Sequence, residues 1–137
     1  MASHFDLSDD PLEQQMISVT LDPSLFTHEA HLRLAWVYIR KYGVEQAIDN
    51  IGEQIRQFAA KNGAPDKYNQ TVTEAAVRIV YHFYLKASEV DFHTLIEQYP
   101  RLKTDFISLL RAHYSFDLFQ DAKAKRSYLQ PDLLPFD

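Results

Sequence analysis

The sequence contains no cysteine. A disulfide framework, a thiolate metal site and a cysteine nucleophile are therefore excluded, and the composition suits a reducing compartment. Glycine is almost as scarce, with only Gly43, Gly52 and Gly63 in 137 residues. A β-rich fold draws heavily on turn glycines, so few hairpins are expected. An excess of positive charge is missing too. Fourteen Lys and Arg stand against nineteen Asp and Glu, a formal charge of -5, and that balance does not supply the counterion release that drives nucleic-acid binding. The densest basic run, Lys123-Ala-Lys-Arg126, reads as a solvated helix face. No apolar run approaches the roughly 20 residues that span a bilayer. Met1 to Leu12 carries Asp6, Asp9 and Asp10 where a secretion signal would be basic and then apolar. These exclusions point to a cytoplasmic protein with no nucleic-acid and no membrane partner.

What is present is a core. Hydrophobic residues make up 46% and aromatics 13% of the chain, which excludes intrinsic disorder. A chain of this length fits one domain that buries roughly two-thirds of its unfolded surface.

Residues 1 to 13 are polar and acidic and read as a flexible tail; residues 14 to 137 read as a single helical domain. Gln14 to Leu21 suggests a short extended segment closed by Asp22-Pro23. From Thr27 the helical signal is strong. Thr27 is placed to cap, and Leu32, Ala35, Ile39 and Tyr42 recur at three- and four-residue spacing until Gly43. Val44, Ala47, Ile48, Ile51, Ile55 and Phe58 form the next apolar stripe, ended by Asn62-Gly63. After a loop over 64 to 70, Thr71-Val-Thr-Glu74 has the form of a capping box. The helix behind it buries Val72, Ala76, Ile79, Val80 and Phe83. Asp91 caps a short helix that stops at Pro100, Phe106 to His113 forms another, and Asp117 to Tyr128 a last one. Pro131 and Pro135 leave the final residues extended, with Leu133, Leu134 and Phe136 available to pack. The expected architecture is all-α, a single-domain antiparallel helical bundle of about five or six helices.

Candidate chemistry gathers around His28 and His31. On a helical wheel they lie within about 60° of each other, on the side of Ala35, Tyr38, Ile39 and Tyr42, whereas Glu29, Arg33 and Arg40 point away. An imidazole on an inward face needs a partner for each ring nitrogen. The positive end of the helix dipole disfavours imidazolium, so both rings are expected to be neutral near pH 7. An up-down-up bundle brings the start of this helix toward the loop and helix start that carry Lys67, Tyr68, Asn69, Thr71, Thr73 and Glu74. Two helix N-termini with a lysine and hydroxyls suit an anion or a small polar molecule. The same groups could hold a metal through His28, His31 and Glu74, although the spacing is not that of the zincins. In the structural alternative the histidines tie backbone groups together, Thr71, Thr73 and Glu74 are capping residues, and Tyr38, Tyr42 and Tyr68 are rim aromatics whose hydroxyls reach water. His82 lies roughly 15 Å from the start of its helix, too far to join. Arg78 and Glu74 form an ordinary i,i+4 pair, His93 and His113 are rim residues, His4 belongs to the tail, and Trp36 is core or a partner anchor.

Three stretches carry a resemblance: Phe26-Thr-His-Glu-Ala-His-Leu-Arg-Leu-Ala-Trp36, Lys67-Tyr-Asn-Gln-Thr-Val-Thr73 and Tyr128-Leu-Gln-Pro-Asp-Leu-Leu134. Together they resemble a family of small uncharacterised bacterial all-helical proteins over residues 25 to 135. The resemblance implies no activity and no cofactor. Where such sequences often carry His this one has Asn69, a poor ligand for zinc or iron.

Two functions remain in view. One is a small-molecule or anion-binding helical protein, an enzyme or a pure binder, in which His28 and His31 are hydrogen-bond or general-base groups, Lys67 the anion partner, and Tyr68, Asn69, Thr71 and Thr73 orienting groups. No nucleophile can be named. The other is an interaction module that forms a homo-oligomer or docks on another protein through an aromatic face at Phe116, Leu118 and Phe119.

Overall fold

The computed structural model describes residues 3–136. All regular structure among them is helical, eight α-helices and three short 3-10 turns, so the all-α class expected from the sequence is the class of this fold. None of these helices is long and apolar enough to cross a membrane. The chain divides into two compact units, residues 1–68 and 69–137.

The first unit holds α1 (Asp9–Ile17), α2 (His28–Tyr42) and α3 (Val44–Lys61), with 3-10 turns at His4–Asp6, Pro23–Leu25 and Pro65–Lys67. Thr27 caps α2 as its sequence predicts, its hydroxyl accepting from the Ala30 amide at 3.2 Å. Gly43 ends α2 at φ 87°, a left-handed conformation that costs glycine nothing, and α3 begins at once. The two long helices pack together, and Leu32 and Ile39 of α2 and Ile48 and Ile51 of α3 are buried. Full burial of each such side chain is worth about 1.5–3 kcal/mol.

The acidic N-terminal segment departs from the expectation of a flexible tail. It begins with a capping box between Ser3 and Asp6 and continues as α1, in which Pro11 sits in the first turn, where its missing N–H is harmless. Leu12 and Met16, four residues apart, are fully buried. That spacing is helical, so the extended segment expected over Gln14 to Leu21 does not form: Gln14 to Ile17 belong to α1. Directly after them the chain turns through Val19, whose φ of 58° is strained for a β-branched residue.

The reason this segment is ordered lies on the polar side of α2. Arg33, expected to point to solvent, is buried. Its guanidinium donates to the carbonyls of His4 (2.7 Å) and Leu7 (2.8 Å) and to the Asp9 carboxylate (2.9 Å). It also faces Nδ1 of His4 at 3.3 Å. Because a guanidinium can only donate, Nδ1 of His4 accepts, and its Nε2–H donates to Glu29 at 2.9 Å. His4 is accordingly buried rather than part of a loose tail. Further along, Lys41 binds Asp10 (2.9 Å) and Glu13 (2.5 Å), and the Tyr42 hydroxyl donates to Glu13 at 2.7 Å.

The second unit holds α4 (Gln70–Lys86), α5 (Phe92–Gln98), α6 (Arg101–Thr104), α7 (Phe106–Arg111) and α8 (Ala122–Arg126). Asp91 caps α5 as expected, its carboxylate accepting from the Thr94 amide at 2.8 Å. The last helix is shorter than the periodicity of 117 to 128 predicts. Asp117 folds back to accept from the Phe119 amide at 2.9 Å, which makes a turn, and Asp121 caps α8 instead. Val77 and Val80 of α4 are fully buried, and α4 packs against both α7 and α8. The described residues after α8 form no further helix, but they are not simply extended as expected, because the chain bends at 132 to 134 between the two prolines; Phe136 is half-buried, whereas Leu133 and Leu134 stay exposed.

Candidate functional site

The residues singled out from sequence fall in both units. In the first, His28 is exposed at the first turn of α2, and His31 follows one turn later. The His31 ring stacks on Phe26 with centroids 5.9 Å apart and an interplanar angle of 27°, and Phe26 packs on Phe58 at 5.1 Å. Nε2 of His31 is buried with no hydrogen-bond partner among the described residues. Burial, and then the nearby His28, hold the His31 pKa down to about 4. The ring is neutral at pH 7, as its place in the sequence predicts, but desolvation outweighs the helix dipole as the cause. Lys67 ends the 3-10 turn Pro65–Lys67 and is exposed, and Tyr68 beside it is half-buried.

The aromatic residues of α2 are not all rim residues. Tyr38 is fully buried and its hydroxyl donates to Gln54 at 2.6 Å. Burial pushes its pKa up to about 12. Trp36 is buried with the Arg40 guanidinium 4.5 Å from its ring centre, so it is core and is not displayed as a partner anchor.

In the second unit the capping box expected at Thr71 to Glu74 does not form. The helix starts two residues earlier, and Asn69 is its cap, with Oδ1 accepting from the Val72 amide at 3.0 Å. The other end of that side-chain amide donates to the Leu118 carbonyl at 2.9 Å. Thr71 lies within α4 and is fully buried. Its hydroxyl donates to the Ser127 carbonyl (2.8 Å) and accepts from the Leu129 amide (3.1 Å). Asn69 and Thr71 thus use their hydrogen-bonding groups to hold the segment that follows α7. Thr73 is buried as well. Glu74 forms the expected i,i+4 pair with Arg78, at 3.1 Å, and the Arg78 guanidinium also lies 5.8 Å from the Tyr128 ring centre. The register explains the difference: buried Thr71 faces a backbone carbonyl and an amide to satisfy, and Asn69 is left to cap.

No group of three or more His, Asp or Glu among the described residues is arranged to hold a metal ion. A site of His28, His31 and Glu74 therefore has no support in the geometry.

Sequence reasoning missed two features of the second unit. An open cavity of about 570 Å³ is bounded by Ile107, Leu110, Arg111, Phe119 and Leu133. A second, of about 440 Å³, lies between α4, α7 and the C-terminal residues Leu134 to Phe136 and is lined by His82 and His113. Their walls come from stretches 14 or more residues apart, so no local spacing announces them. Only the aromatics at Phe116 and Phe119 hint at the first. No family model, curated protein or solved structure matches this chain.

Proposed function

We propose that the protein binds a small molecule that offers a neutral hydrogen-bonding group to Nε2 of His31. The observation that carries this reading is the buried, unpartnered nitrogen itself. An unmade hydrogen bond in such a place costs about 1–3 kcal/mol, and buried polar groups without partners are rare enough to call for an explanation. The suppressed protonation of His31 favours a neutral polar group over an anion, because the ring brings no positive charge. Exposed His28 stands one turn away on the same helix. The absence of cysteine supports a reducing setting such as the cytoplasm for this activity.

The test is ligand-dependent thermal stabilisation with a panel of small neutral alcohols and amides, read beside the His31 ring signals by NMR. A binding compound should raise the melting temperature and move the His31 signals. His31→Phe keeps the stacking on Phe26, removes the nitrogen and should abolish both effects. A wild-type protein that no such compound stabilises would end this reading.

A second reading, self-association, is favoured by the exposure of Ile107, Phe119 and Leu133 around the larger cavity. Light scattering decides it. A dimer should revert to monomer in Phe119→Glu, whereas a strictly monomeric wild type at high concentration excludes it.

A further inference from the structure

The smaller cavity of the second unit is independent of His31 and has its own chemistry. Its volume, about 440 Å³, lies within the range of small-molecule sites. The walls are mostly apolar: Ile79 and Phe83 come from α4, Leu109 from α7, and Leu134 and Phe136 from the C-terminal segment. Such a surface favours a ring-sized apolar ligand, which gains by leaving water.

The polar group that stands out is His113. Its Nδ1 lies 2.8 Å from the Leu134 carbonyl. A carbonyl oxygen can only accept, so Nδ1 carries the hydrogen, and in the neutral ring Nε2 is left with its lone pair. Nε2 has no hydrogen-bond partner among the described residues. The ring is held in orientation by Phe136, 4.3 Å away between centroids. The Leu133 amide also donates to the His113 carbonyl at 3.0 Å. One backbone stretch therefore sets the tautomer of the imidazole and builds a wall of the cavity beside it. His82, packed edge-on against Phe83 at 5.2 Å, completes the lining.

We propose that this cavity is a second ligand site, one that takes an apolar aromatic molecule bearing a single hydrogen-bond donor, of the phenol class, with Nε2 of His113 as the acceptor. The donor requirement follows from the tautomer and the aromatic body from the walls.

The pair 4-methylphenol and 1,4-dimethylbenzene tests it, because the two have nearly the same shape and differ in the donor. Titration of the full chain, followed by the His113 ring signals in NMR and by thermal stabilisation, should give binding about fivefold tighter for the phenol, as one net hydrogen bond warrants. His113→Phe should erase that preference while the hydrocarbon still binds. Ala112→Trp, which adds bulk to a lining position, should weaken both. His31→Phe should change neither, which separates this site from the one proposed above. Equal affinity of the two probes, no binding of either at millimolar concentration, or binding lost in His31→Phe would each overturn the proposal. Titration of the wild type alone discriminates between the first two outcomes and the expected one, even if a variant fails to fold.

Discussion

In the first unit the residues that precede the long helix α2 are held to it by charge. Arg33 gathers Asp9 and two carbonyls, and Lys41 gathers Asp10 and Glu13. In the second unit the residues that follow α7 are held mainly by neutral side chains bonded to backbone groups, Asn69 to Leu118, Thr71 to Ser127 and Leu129, and Tyr114 to Leu129 at 2.8 Å, with a carboxylate among them, Asp132, which accepts from the Ser115 amide at 2.9 Å. Both arrangements satisfy backbone groups that a chain segment leaves over when it lies outside a helix. They differ in what they respond to. Partly exposed ion pairs weaken with salt and with protonation of their carboxylates, whereas neutral amide and hydroxyl bonds do neither.

The sharpest way to break this contrast is Arg33→Met. It removes the buried cation on which two carbonyls and Asp9 converge, and should cost about 3–5 kcal/mol, measured by urea unfolding. If the loss is no greater than for a neutral fastener, charge is not what holds the N-terminal segment.

Acid should come next. The pKa of His31 is about 4 in the folded chain against an ordinary 6.5, so between those values the unfolded chain binds the extra proton. Stability from this group is complete above pH 6.5 and falls as pH drops toward 4, by about 3 kcal/mol in all. His31→Phe should remove that part of the slope. Identical pH profiles for the variant and the wild type would show that the imidazole is not buried as described.

Asn69→Ala removes a helix cap and the bond to Leu118 together, and should cost about 2 kcal/mol. Its effect should be the same in low and high salt, which calorimetry can compare; a strong salt dependence would erase the distinction between the two units. Smallest is Val19→Asn. Asparagine tolerates the left-handed backbone that valine resists, so a gain of about 1 kcal/mol is expected, read from the unfolding midpoint.

The long helices are legible in the sequence because their signals are local. Thr27, Gly43 and Asp91 each act within four residues of themselves, and the stripe of α3 needs only its own period. The N-terminal segment is not legible in this way. Its polarity reads as solvent exposure, and only the burial of Arg33, 24 positions beyond Asp9, gives those acidic residues a partner. The same limit applies to the site. Spacing picks out His28 and His31, and the helix start predicts a neutral His31, yet which of the two has a buried ring nitrogen depends on Phe26 and Phe58. Asn69 and Thr71 are recognisable as polar residues at a helix start, but their partners at 118, 127 and 129 lie far along the chain.

What the sequence determined by itself is the helical class, the ends of α2 and α3, the start of α5 and the exclusion of thiol chemistry, since capping, apolar period and residue type are properties of neighbours or of composition. Tertiary structure alone decided which polar groups are satisfied and which are left over. A hydrogen bond depends on what two distant segments bring within about 3 Å of each other, and that is how Thr71 became a fastener while Nε2 of His31 and Nε2 of His113 were left without a partner among the described residues.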